Sequence, residues 1–446
     1  MADIEYGRDS AKDILILGGG FGGIAAAMEL EKQLHGEIKR GLVRITLVAR
    51  DNFFLFTPLL HEVAASDLDP SNIVNPIHKL LRHANFFCGE IESVDLVARR
   101  VNVRHGVSNT PHQHGHTLTF DHLVLCPGSV AGFGDIPGVE ENALSMRTLG
   151  DAVTLRNRLI ESLEVANADC FAQMRAPLLT FVVAGGGFAG VETAGATNDF
   201  LHGALRHYRA LTPENVRVIL VHSGELLLPE LGPKLGTYTA QKLSKAGVEV
   251  RLQTRVAGCQ PDCIELSDGT KVPCHTLVWT VGNAPHPLLG LLPCMTERGR
   301  VRVDKHLEVP GWPGVWALGD AAYIMNEETG KPHPPTAQHA LREGKVVARN
   351  IAASLRDQDK VPFRFKTIGQ LAAIGHRAGV ANVFGVQFSG FVAWVMWRLI
   401  YLSKLPRLEK KLRVALDWTL DVFFSKDVVQ LSTPAPKHVS TDHSAI

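Results

Sequence analysis

Two glycine-rich turns constrain this chain more than any other feature. The first reads Gly18-Gly19-Gly20-Phe21-Gly22-Gly23 and the second Gly185-Gly186-Gly187-Phe188-Ala189-Gly190. Each follows a short apolar run, at residues 14–17 or 181–184, and each opens a helix-like segment rich in alanine. Short apolar runs bounded in this way fit buried parallel strands. A further strand-like run follows each turn, at residues 44–48 and 216–221. Strand, G-x-G-x-x-G turn, helix and strand make up the dinucleotide-binding fingerprint, and two occurrences in context carry far more weight than one. The expected fold is therefore α/β, with two Rossmann-like modules.

The glycines have a chemical reason. Gly18 permits a tight turn, Gly20 lets the backbone approach a pyrophosphate, and Gly23 lets the helix pack on the strand. Gly185, Gly187 and Gly190 repeat the pattern. Phe21, Gly22 and Phe188 lie inside the same turns, and a helix N-terminus adds partial positive charge. The acid that normally closes such a unit on a ribose hydroxyl is displaced in both modules. After Val48 come Ala49-Arg50-Asp51, and after Val221 come His222-Ser223. His222 does not repel a 2′-phosphate, and a protonated His222 would attract one, so the choice between NADH and NADPH stays open. A third signal is the strand-like run ending in Gly319-Asp320. Asp320 is placed to hold a sugar-like hydroxyl; its alternative role is a helix N-cap. Two nucleotide modules in one chain suggest a flavin and a nicotinamide.

Composition removes other classes. Lys and Arg number 46 against 45 Asp and Glu, without the basic excess of nucleic-acid proteins, so no nucleic-acid partner is expected. Seven scattered cysteines are not a secreted disulfide framework, and the charged start lacks the apolar core of a signal peptide. No run of about 20 uncharged apolar residues is present; the nearest, residues 386–402, is interrupted by Arg398. The tract His112-Gln113-His114-Gly115-His116 reads as a solvated hairpin tip, and Cys259 and Cys263 are poorly spaced for zinc, so no metal is expected. The polar tail after Leu431 is expected to be disordered.

At this point the chain resembles a known family. The two fingerprints, Leu125-Cys126-Pro127-Gly128-Ser129, Trp279-Thr280-Val281-Gly282 and Gly319-Asp320 are similar to two-dinucleotide-binding-domain flavoprotein reductases. Asn52-Phe53-Phe54-Leu55-Phe56-Thr57-Pro58-Leu59-Leu60, Pro334-Pro335-Thr336-Ala337-Gln338 and the aromatic segment ending near Asp427 narrow the resemblance to type II NADH:quinone oxidoreductases. It covers residues 12–431 or so. It implies FAD in the first module, contacted by Gly18, Gly20, Phe21, Gly22, Gly23, Arg50, Thr57, Gly128, Gly319 and Asp320. It implies NADH in an inserted second module, contacted by Gly185, Gly187, Phe188, Gly190, His222 and Gly282. Ala337 and Gln338 would lie near the flavin and the quinone, and Glu192 between nicotinamide and flavin. Gln338 would hydrogen-bond a quinone carbonyl, and Arg342, where the family often has a second glutamine, would stabilise charge on the quinone oxygen. No cysteine pair stands in residues 53–65, which argues against a dithiol reductase. No proton pumping is expected. Two other readings remain: a soluble NAD(P)H-dependent reductase for a small redox protein, and a non-enzymatic FAD- and NAD-binding sensor.

The expected organisation is an FAD module over residues 1–177 and 301–380, an NAD(P)H module over 178–300, and a membrane-association region with tail over 381–446. Within the last, residues 391–402 are apolar nearly all round. Leu408, Leu412, Ala415, Leu416, Thr419 and Phe423 then keep helical spacing, with Lys410, Arg413, Asp417 and Asp421 opposite. Residues 386–427 hold seven basic and four acidic side chains beside Trp394, Trp397 and Trp418. A basic amphipathic helix with tryptophans suits an anionic bilayer surface, so peripheral attachment to the cytoplasmic or matrix face of the inner membrane is expected. The alternative use of the same helices is as a pair in the core or at the interface of a homodimer.

Overall fold

The structure is a computed structural model that describes residues 11–106 and 113–431. The chain first lays down β1 (Lys12–Leu17), α1 (Phe21–Gln33), β2 (Val43–Ala49), α2 (Leu60–Ala64), β3 (Asn85–Cys88) and β4 (His122–Leu125). It then builds β5 (Ala143–Ser145), β6 (Thr180–Ala184), α3 (Phe188–Ala204), β7 (Arg217–Val221), β8 (Glu249–Arg251) and β9 (Thr276–Trp279). It returns through β10 (Val315–Ala317) and α4 (Ala337–Leu355), and ends with β11 (Gly369–Ala373), β12 (Gly379–Val383), β13 (Val386–Gly390), α5 (Phe391–Lys404) and α6 (Leu408–Phe423).

Two five-stranded parallel sheets result, in the orders β10-β4-β1-β2-β3 and β5-β9-β6-β7-β8. In each, the strand before the glycine turn is central and pairs with the strand after its helix, as the fingerprint demands. The outer strands cross over in sequence. Ala143–Ser145 precedes the second glycine turn yet is an edge strand of the second sheet. Val315–Ala317 follows the second sheet yet completes the first. β1 from Ile14 onward and β6 throughout are buried, which is why they read as continuous apolar runs rather than alternating ones.

Two local expectations change. His114 and His116 lie in a strand, His114–Thr119, paired with Arg100–His105, rather than at a hairpin tip; His112 falls outside the described residues, as does the tail after Leu431. Asp320 caps no helix: it sits in a single turn, Gly319–Ala321, that makes no side-chain cap. Its carboxylate is therefore free for another partner.

Candidate functional site

The first glycine turn is shaped by close backbone approach. Gly18 has φ +126°, and a Cβ there would stand 2.1 Å from the carbonyl oxygen of Cys126. A Cβ on Gly23 would stand 1.9 Å from the Gly18 oxygen. Around Gly20 the space is open to 4 Å, the side from which a pyrophosphate would approach the α1 N-terminus. Gly22 touches Leu318, just before Gly319-Asp320, and faces the backbone of α4 at Ala340. The glycine turn, the Gly319-Asp320 turn and the α4 N-terminus with Ala337 and Gln338 thus gather at one edge of the first sheet. Phe21 packs edge-on against Phe54 at 4.9 Å, placing the segment with Thr57 beside that edge. Arg50 is exposed at the end of β2 and pairs with Asp51 at 3.8 Å.

Partners of this edge escaped the sequence reading. The Asp320 carboxylate accepts from the Ser129 hydroxyl, and Arg147 donates to that hydroxyl at 2.6 Å. The buried Glu343 accepts from the Gly319 N–H at 2.7 Å, and burial raises its pKa to about 7. No local pattern marks these residues, which lie up to 191 positions apart. The Cys126 thiol is buried and pushed up to about 12, a packing group rather than a redox one.

The second turn repeats the first. Gly185 has φ +116°, and a Cβ there would meet Thr280 Oγ1 at 2.5 Å; a Cβ on Gly190 would stand 1.8 Å from the Gly185 oxygen. Space around Gly187 is open to 4 Å, and Phe188 begins α3. The segments after Gly128 and Gly282 pair as a ribbon, Ser129–Ala131 with Asn283–Pro285, and the Trp279 indole donates to the Gly132 carbonyl at 2.8 Å. This ribbon holds the two nucleotide edges together. His222 does not act as a cation. Its Nδ1 accepts from the Gly186 N–H at 3.1 Å, a bond that a protonated ring loses, and burial lowers its pKa. Glu230, unnoticed in the sequence, acts electrostatically on His222 and supplies a negative charge on that side.

Glu192 stands two residues beyond Gly190 and is buried. Its Oε1 accepts from the Trp397 indole at 3.1 Å and from the Ala373 N–H at 3.2 Å, while His61 Nδ1 lies 3.7 Å from Oε2. Desolvation, only partly offset by these bonds, raises its pKa from 4.5 to about 8. Its proton is thus held more tightly in the folded chain than in the unfolded one. That stability is fully present below pH 4.5 and is lost as pH rises towards 8. The melting temperature of Glu192→Gln is therefore expected to rise relative to the parent between about pH 5 and about pH 8. A difference constant across that range would refute a buried, protonated carboxyl. Gln338 is half-buried in the first turn of α4 and its Nε2 contacts the Gly369 carbonyl at 3.4 Å. Arg342, one turn on, donates to the Gln338 carbonyl at 2.7 Å and covers the Phe365 ring at 4.0 Å.

The C-terminal helices invert the usual amphipathic arrangement. On α6, Leu408 (70% exposed), Leu412 (64%), Leu416 (57%) and Phe423 (77%) face outward. Part of the polar stripe faces the protein, beside the buried Val414 and Trp418: Lys410 donates to the Ser71 carbonyl at 2.5 Å, and Asn72 to Asp417 at 2.6 Å, while Arg413 stays exposed. Phe391, Val392 and Leu399 of α5 are exposed as well. Two of the tryptophans expected at a bilayer surface are instead buried, Trp397 on Glu192 and Trp418 on Glu62 at 2.7 Å. Their apolar rings pack inside while each N–H finds a carboxylate. Among the described residues no helix is long and apolar enough to cross a membrane.

This geometry defines a class of two-site pyridine nucleotide flavoproteins. Residues 12–344 match the family of pyridine nucleotide-disulphide oxidoreductases, and residues 368–427 match the NDH2 C-terminal domain. The chain is 32% identical to the type II NADH:quinone oxidoreductase Ndh of Mycobacterium tuberculosis, across 91% of this chain and 87% of the relative. It is 30% identical to the demethylphylloquinone reductase NdbB of Synechocystis, across 92% and 96%. Its fold matches NDH2 from Plasmodium falciparum, solved with NADH, at a TM-score of 0.86 and 19% identity, covering 94% of this chain and 99% of that one. The chain belongs to the type II NADH:quinone oxidoreductases, and FAD and NADH are its cofactors.

Proposed function

We propose that this chain oxidises NADH at the second glycine turn and reduces a quinone that reaches the first module from a membrane surface. The observation that carries this reading is the junction at Glu192. One buried carboxyl, two residues beyond the second fingerprint, is hydrogen-bonded to an indole of α5, the helix that shares the exposed apolar surface with α6. The open space at Gly20 and Gly187 fits a pyrophosphate on each helix N-terminus. Bound FAD would supply the chemistry, taking a hydride from NADH and passing two electrons to the quinone. The chain supplies position. Gly18, Gly22, Gly23, Arg50, Thr57, Gly128, Gly319 and Asp320 hold FAD. Gly185, Gly190, Phe188, His222 and Gly282 hold NADH. Gln338 donates to a quinone carbonyl, with the charge of Arg342 one turn away. Residues 1–177 and 301–380 serve FAD, 178–300 serve NADH, and 381–431 rest on the membrane, at the cytoplasmic or matrix face.

Anaerobic stopped-flow tests this reading. NADH is expected to bleach the flavin, and ubiquinone or menaquinone analogues to restore its colour. Bleaching without reoxidation by any quinone would sink the quinone reading and favour a soluble reductase for a small redox protein.

A neutral His222 near Glu230 favours NADH. The parent is expected to prefer NADH over NADPH by about a hundredfold in kcat/KM, and His222→Arg to raise kcat/KM for NADPH by about tenfold through contact with the 2′-phosphate. Equal use of both by the parent would contradict the neutral ring.

A further inference from the structure

Strand register gathers three histidines that the redox reading leaves unused. His114 and His116 stand two apart on the strand His114–Thr119, so their side chains point to one face. The register pairs His105 with His114 and Val103 with His116. Directly opposed residues of an antiparallel pair share a face. His105, two beyond Val103, therefore joins the other two, on the face where Val101 and Val103 are buried. Sequence spacing alone does not put His105 beside His114 and His116; the pairing does. The cations of the same strand alternate to the opposite face, where Arg104 pairs with Glu90 and Glu92.

Two of the rings are already close. The His105 and His116 centroids are 5.9 Å apart, and the Phe87 ring lies 5.2 Å from each. Two imidazoles bound through nitrogen to one tetrahedral zinc ion have centroids about 5 Å apart. His105 is also oriented as a ligand. Its Nδ1 is hydrogen-bonded to the Cys88 carbonyl, so Nδ1 carries the proton and the Nε2 lone pair is left for a metal. A carbonyl behind the ring is a usual partner of metal-bound histidine. His105 and His114 are exposed and His116 is half-buried, so an ion can enter from solvent. Among the described residues no three such side chains are already drawn round one point. Rotation of the exposed side chains closes the set, because Cβ atoms across an antiparallel pair stand only about 4.5–5.5 Å apart.

We propose that His105, His114 and His116 form a three-imidazole site for a divalent late first-row transition ion, zinc(II) being the fitting case, with water in the fourth position. Imidazole suits zinc, copper and nickel, whereas a set without carboxylates disfavours magnesium and calcium. The ion does no redox work. It clamps two neighbouring strands beside Phe87 of β3, the edge strand of the first sheet. The inference is independent of the NADH:quinone reading.

The test titrates untagged holoenzyme, first stripped with chelator, with zinc chloride. Calorimetry is expected to show one tight ion per chain. His105→Gln, His114→Gln and His116→Gln are each expected to weaken it by about tenfold or more, at least the effect of removing a partner behind a ligand. X-ray absorption of the one-to-one complex is expected to show three imidazole nitrogens at about 2.0–2.1 Å. The melting temperature of the parent should rise with zinc concentration, and the three variants should lose that rise. Their metal-free melting temperatures and their flavin bleaching by NADH should match the parent. Absence of a tight ion in the parent, parental zinc affinity in any of the three variants, or fewer than three imidazoles on the bound ion would overturn the site.

Discussion

Alanine at Gly190 is expected to abolish efficient flavin reduction by NADH while leaving FAD bound. The new Cβ would stand 1.8 Å from the Gly185 oxygen, a backbone atom that cannot swing away. The start of α3 must then lift off β6. Overpacking of this kind costs about 1–3 kcal/mol, and at about 1.4 kcal/mol per tenfold it lowers NADH affinity by roughly one to two orders of magnitude. Gly187→Ala separates packing from binding. Its Cβ would meet nothing within 4 Å, so its melting temperature is expected to match the parent. NADH affinity should nevertheless fall, because the methyl occupies the space through which the pyrophosphate approaches. Bleaching rates against NADH concentration, read beside thermal melts, check both. Parental NADH affinity in both variants would remove the second turn from the nucleotide site.

The second large effect lies on α6. Serine at Leu408, Leu412, Leu416 and Phe423 is expected to release the protein from anionic vesicles. Fully burying such a side chain is worth about 1.5–3 kcal/mol. Even half of that for each of the four gives a loss of binding of a hundredfold or more, roughly. These side chains are exposed in the folded chain, so the melting temperature should not fall. Turnover with a water-soluble short-chain quinone should persist, while turnover with a long-chain quinone embedded in vesicles should collapse. Retained vesicle binding would show that α6 does not meet the bilayer. A lowered melting temperature with a shift from dimer to monomer would instead mark the face as an interface between two copies.

The amphipathic pattern of α6 was readable from spacing, but not which stripe turned inward. The leucine stripe expected at a bilayer surface is exposed, whereas Trp397 and Trp418, expected there too, turn inward. Asn72, Ser71 and Glu62, from the first module, supply polar partners for Asp417, Lys410 and Trp418. Those partners are more than 300 residues away in sequence, so no local pattern reveals that the polar face has somewhere to dock. His222 shows the same limit. Its place at the end of β7 was legible, but its charge was not, because that depends on a hydrogen bond from Gly186 and on burial.

The sequence by itself determined the two nucleotide modules, because a glycine turn between strand and helix is a local backbone requirement written in adjacent residues. It also determined that no dithiol stands in residues 53–65. Only the tertiary structure decided what surrounds Glu192. Its indole partner lies 205 residues away, and a cavity behind it forms where α2, α3, α5 and the chain after α6 close together. Burial and long-range pairing set the charge states there, and both exist only once the chain has folded.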